Sequence, residues 1–150
     1  MSVFDWEEGR RDTGIAAKRV VALKSEGIQV PCVWSARKVK ALHIDHCFPW
    51  ARWLNNDLWN LLPASATVNS SKGDKLPSAY AMYDTRDRII DWWQHAYVDS
   101  PLKERFLLEA GSSLPGLVDG GSGLEEVYTA MLLQRVRLKS DQQLVEWPAQ

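Results

Sequence analysis

Apolar positions along the chain change their period several times, and each change marks an element. From Thr13 to Ser25 they recur at helical spacing, with Ala16, Val20 and Leu23 on one face and Gly27 as the stop. Val30 to Trp34 is a short apolar run that reads as a strand, and Ala36 to Lys40 is a basic turn. A second apolar run (Ala41, Leu42, Ile44) delivers Asp45 and His46 side by side. Pro49 follows and cannot extend a ladder, so this strand ends near His46. Regular alternation sends strand neighbours to opposite faces. Asp45 and His46 therefore share one site only at a frayed or bulged strand end. A polar, tryptophan-rich loop leads to Leu61-Leu62-Pro63, a brief second strand. Ala64 to Ser71 then reads as a helix, capped by Ser65 and stopped by Gly73, which carries Asn69 and Lys72 on one side.

Beyond Pro77 the pattern is helical and the chemistry thins out. Asp84 to Tyr97 buries Ile89, Trp93 and Tyr97, and Pro101 opens a helix running through Leu108 or Glu109. Residues 111–123, GSSLPGLVDGGSG, read as a mobile loop. Leu124 to about Leu138 is an amphipathic helix with Leu124, Val127, Tyr128, Met131 and Leu132 on its apolar side. Residues 1–11 lack a period and read as an arm or a first-turn segment. The last ten residues read as a frayed extension, with Leu144 and Trp147 as candidates to dock. Short strands followed by helices give an α+β class: a small ββα core at about 30–78 and a helical extension at about 79–150, in one domain of 150 residues.

Composition changes this picture little. The apolar share of 45% and charged share of 25% are ordinary for a globular protein, and eight tryptophans concentrate apolar area in few positions. Two cysteines give no disulfide framework and no long apolar run opens the chain, so a reducing cytoplasm without membrane insertion is expected. Net charge is -1, but it is uneven. Residues 1–78 hold 11 Lys/Arg and 8 Asp/Glu, and residues 79–150 hold 7 and 11. The basic excess sits with the candidate chemistry, as phosphate binding requires.

That chemistry lies between Asp45 and Lys72. A carboxylate and an amide oxygen, Asp45 and Asn69, are hard ligands suited to magnesium. An imidazole beside them, His46, can take a proton from attacking water near neutral pH. Lys72 is a point charge able to meet a phosphate. Asp45-His46, Pro49, Asn60-Leu61 and Asn69-Ser-Ser-Lys72-Gly73 together resemble the HNH endonucleases, whose ββα-metal fold clasps one divalent ion. The resemblance covers about a quarter of the chain. It implies His46 as general base, Asp45 and Asn69 as ligands of Mg2+ or Mn2+, and Asn60 as the brace of the loop that holds His46. Asn69 stands where the family often has His, which makes this an H-N-N variant. Relatives with a zinc knuckle carry two Cys-x-x-Cys pairs. Here only Cys32 remains of the first, in Cys32-Val-Trp-Ser35, and Leu62-Pro63-Ala64-Ser65 replaces the second. No structural zinc is expected, and Trp34, Trp50, Trp53 and Trp59 are expected to pack in its place.

The resemblance thus implies metal-dependent hydrolysis of DNA, with RNA as a second possible substrate and a protein partner or homodimer left open. Restriction or defence, phage DNA processing, mobile-element cutting and toxin action are all settings for such a domain. The alternative is a nucleic-acid-binding or assembly module that keeps the HNH shape without cutting. Other residues have duller readings. His43 is a structural imidazole unless it assists a metal or phosphate, and His95 is a partly buried helix residue. Asn56-Asp57 is turn chemistry, Asp74 is a helix exit, and Arg52 either clamps a phosphate or covers tryptophan faces.

Overall fold

A computed structural model of the chain describes residues 11–117 and 123–148. The expected arm lies outside these residues except for Arg11, and so do residues 118–122 of the expected loop.

Helix α1 (Gly14–Ser25) starts after Thr13 and buries Ala16, Val20 and Leu23, the face set by their spacing. Gly27 follows with φ of 81°, a left-handed conformation that glycine adopts without penalty. The expected strand at Val30 to Trp34 does not form. Residues 33–35 make a turn instead, in which the Cys32 N–H donates to the Arg37 carbonyl and Ala36 N–H to the Cys32 carbonyl. Val33 N–H still bonds to the Pro63 carbonyl, so this turn caps an open sheet edge without becoming a strand.

The two expected strands are β1 (His43–His46) and β2 (Leu61–Ala64), antiparallel, with Asp45 opposite Leu62 and His46 opposite Leu61. A 3-10 turn at Leu58–Asn60, which periodicity does not reveal, leads into β2. Helix α2 (Ala66–Lys72) is capped by Ser65, whose hydroxyl accepts from Val68 N–H, and ends at Gly73. Strand β3 (Leu76–Pro77) follows, and then helix α3 (Ala79–Trp93). Helix α3 begins earlier than the pattern suggests because Ser78 caps it, accepting from Ala81 N–H. It runs into a wider turn, Gln94–Val98, that buries Ala96 and Tyr97.

Helix α4 (Lys103–Ser113) extends through Gly111, beyond the expected end near Glu109. Helix α5 (Leu124–Gln142) buries Val127, Tyr128, Met131 and Leu138, but Leu132 faces solvent. The described C-terminal residues, 141–148, are not frayed. Leu144 is buried and strand β4 (Glu146–Trp147) pairs in parallel with β3. Arg135 secures this strap, donating to the Pro77 carbonyl (2.7 Å) and pairing with Glu146 (2.9 Å).

The core is aromatic. Trp93 and Tyr97 each pack on Phe106 at 5.5 Å, and Trp93 also meets Tyr128. These side chains also tie the helices to the hairpin. Trp92 donates its indole N–H to the Leu61 carbonyl (2.9 Å) and Trp93 donates to the Trp59 carbonyl (3.2 Å). Carbonyls that an unpaired strand edge would leave buried are thereby satisfied.

Candidate active site

The loop between β1 and β2 is fixed by one amide. Asn60 is fully buried; its Oδ1 accepts from Phe48 N–H (2.9 Å), and its Nδ2 donates to the carbonyls of Asn55 (3.0 Å) and Phe48 (3.3 Å). Cys47 N–H donates to the Asn60 carbonyl (2.8 Å), extending the ladder by one step beyond His46. Asn60 thus joins Phe48 and Asn55, residues from the two ends of the loop. Phe48, Trp53 and Trp59 pack together under this loop, with centroids 5.5–6.2 Å apart.

Asp45, His46 and Asn69 open on one cleft of about 430 Å³, which Trp50, Gly73, Asp74, Arg11 and Thr13 also line. Asp45 is buried and clamped. Its Oδ2 accepts the Trp34 indole N–H (2.9 Å), and the Lys72 ammonium lies 3.2 Å from Oδ2 and 3.3 Å from Oδ1. Trp34, expected only to pack, therefore orients the carboxylate. It is backed in turn by Trp147, edge-on at 5.7 Å, whose indole donates to Ser71 Oγ.

Lys72 does not reach solvent, and its expected phosphate contact is corrected. Its side chain is 0% exposed and also donates to the His46 carbonyl (2.9 Å). From the last turn of α2 it points beneath the site rather than into the cleft. A buried ammonium needs a counter-charge, and Asp45 supplies it.

His46 places Nε2 2.9 Å from Asn56 Oδ1, and Trp50 covers its ring at 5.4 Å. This side-chain amide is the observed partner of Nε2. Burial pulls the imidazole below its ordinary pKa; Arg11 and Lys72 act in the same direction, while the Asn56 bond and Asp45 oppose it.

His43 is exposed at the start of β1 and lines no part of the cleft. His95 is exposed on the turn after α3, bonded to the Asp91 carbonyl. Asp74 pairs with Arg52 at 3.4 Å on the cleft rim. Asp57 accepts from Trp59 Nε1 and Ser113 Oγ, a structural role that joins the loop to α4. Asn56, Arg11, Thr13 and Trp50 are the cleft and contact residues that periodicity and motif spacing missed. An Asn-Asn-Asp run signals a turn but does not reveal that the turn aims one amide at His46.

Cys32, which remains of the first Cys-x-x-Cys pair, and Cys47, beside His46, are both buried free thiols. Burial raises the Cys32 thiol, but hydrogen bonds from Ser35 and the backbone of Ser65 outweigh it and leave it below its ordinary value. Burial pushes the Cys47 thiol up, and its sulfur lies 3.9 Å from that of Met82.

The HNH endonuclease family model matches residues 34–78. The chain carries an HNH domain. The matched segment holds β1, the braced loop, β2, α2 and β3. An HNH domain is of nuclease type, with nucleic acid as its substrate class. Searches of curated proteins and of solved structures returned no significant match. No helix among the described residues is long and apolar enough to cross a membrane.

Proposed function

We propose that this HNH protein is a metal-dependent endonuclease that hydrolyses phosphodiester bonds in DNA. The observation that carries the reading is the convergence of Asp45, His46 and Asn69 on one cleft, with the His46 loop clasped by a fully buried Asn60.

The donor set fits a hard divalent cation. An ionised carboxylate offers about four acceptor positions. Trp34 and Lys72 make three contacts to Asp45 and leave capacity for one ligand bond. Asp45 and Asn69 would hold Mg2+ or Mn2+ through one oxygen each, with no structural zinc elsewhere. When bound, the ion supplies positive charge that stabilises the pentavalent phosphate and the departing oxygen. His46 takes a proton from water as the water oxygen bonds to phosphorus; the P–O3′ bond breaks and O3′ takes a proton from solvent water, giving 5′-phosphate and 3′-hydroxyl ends. Asn60 keeps His46 at the cleft by fixing the loop that follows it, and Lys72 holds both the Asp45 carboxylate and the His46 backbone. The bonds from α3 to β2 and to the 3-10 turn before it support treating the HNH core and the helical extension as one domain. The two free thiols support a reducing, cytoplasmic setting.

Plasmid nicking in Mg2+, with and without chelator, tests this. His46→Ala is expected to lower the rate by about 10²–10⁴-fold while DNA binding survives. Asp45→Ala is expected to remove cleavage more completely than it weakens DNA binding. A wild-type protein that binds DNA but does not cut it in Mg2+ or Mn2+ would leave the non-cleaving module as the correct reading.

A further inference from the structure

We infer that Asn56, pinned by the backbone of Asp12, is the positioning residue that fixes the tautomer of His46 and leaves Nδ1 as the basic atom. The inference rests on the nuclease reading for its consequence, but its geometry stands apart from it. Asn56 Oδ1 accepts the Asp12 backbone N–H at 3.0 Å and faces His46 Nε2 at 2.9 Å. A backbone N–H only donates, so the atom that it meets is the amide oxygen and not the amide nitrogen. The same oxygen has no proton to give, so Nε2 must carry one. In the neutral ring the lone pair then resides on Nδ1. The segment entering α1 thus reaches the catalytic loop through one oxygen, and its neighbours Arg11 and Thr13 line the same cleft.

The test begins with the free protein, labelled with ¹⁵N at histidine and held without metal or DNA above pH 7. The ring-nitrogen spectrum is expected to show His46 as the Nε2–H tautomer in the wild type. Asn56→Ala is expected to give a mixture of tautomers and a nicking rate lower by about 10–100-fold, the usual effect of losing an orienting partner. Asn56→Asp, which keeps an acceptor, is expected to restore the Nε2–H form and most of the rate. An Nδ1–H wild-type ring overturns the inference, as does an Asn56→Ala protein with unchanged tautomer and rate. If the tautomers behave as expected while no variant cleaves DNA, the nuclease reading fails and the positioning of His46 stands.

Discussion

Replacing Lys72 with Met separates a buried structural lysine from a phosphate-binding one. The ammonium donates to the His46 carbonyl at 2.9 Å, lies 3.2 Å from Asp45 Oδ2 and sits 5.8 Å from the Trp34 ring centroid. Met preserves length and apolar contact but donates nothing. It leaves a carboxylate whose side chain is 5% exposed with Trp34 as its remaining donor among the described residues. Breaking a buried ion pair from one side destabilises by about 3–5 kcal/mol. For a chain of this size that lowers the midpoint of thermal unfolding by roughly 6–20 °C. A solvated lysine serving only a phosphate would change stability by no more than about 0.5 kcal/mol. Urea and thermal unfolding should be measured in chelator, because a divalent ion at Asp45 restores positive charge and masks part of the loss. Adding Asp45→Asn to the Met variant should be less harmful than the two single effects combined, since neither charge is then stranded. A Lys72→Met protein that unfolds within about 0.5 kcal/mol of wild type would refute the buried-pair account.

Because burial, Arg11 and Lys72 together hold His46 below the ordinary imidazole value, the acid limb of the rate profile should lie below about pH 6.5. The same shift makes the neutral ring a stabilising feature: its contribution is complete above about pH 6.5 and is lost as the pH falls through the lowered value, measurable as wild-type-minus-His46→Ala stability across that window. Asn60→Leu should destabilise the protein by about 2–4 kcal/mol, because it strips partners from the buried Phe48 N–H and the Phe48 and Asn55 carbonyls; a near-neutral result in urea would remove the brace. Arg11→Ala should weaken DNA binding and reduce the salt slope of log K by about 1, as for one lost phosphate contact, with little change in stability.

The hairpin and the α2 helix were legible in sequence because local chemistry specifies them: Pro49 ends one strand, Ser65 caps α2, and Gly73, at φ of 53°, stops it. Asn60 and the Asp45-His46 pair were legible through motif spacing. The direction of Lys72 was not. Helical spacing places it on a side with Asn69, yet its long stem lets the ammonium reach under β1 to the His46 carbonyl. The Val30 to Trp34 run has strand composition, but its backbone turns back on itself, Cys32 N–H bonding to the Arg37 carbonyl and Ala36 N–H to the Cys32 carbonyl. The C-terminal strap was missed because two-residue strands leave no period, and its docking depends on Arg135 and Ser71, residues distant in sequence. Asn56 was hidden for the same reason, since its partners at Asp12 and His46 are assembled only by the fold.

The buried pair bears on how metal and substrate work together in the proposed reaction. Lys72 already balances the charge of Asp45, and Arg52 lies across Asp74 on the rim, so the protein alone presents little net negative charge to a cation. Mg2+ gives up its water reluctantly and two protein oxygens offer it weak inducement. A phosphate in the cleft changes both terms: it adds oxygen ligands and brings the negative charge that Lys72 cancels at Asp45. Each ligand then raises the affinity of the other by the same factor, as linkage requires. The same balance bears on DNA alone, where Arg11 is the cation that the described cleft places near His46. Modest binding of either partner by itself, with tight binding of both, follows from where this chain puts its lysine.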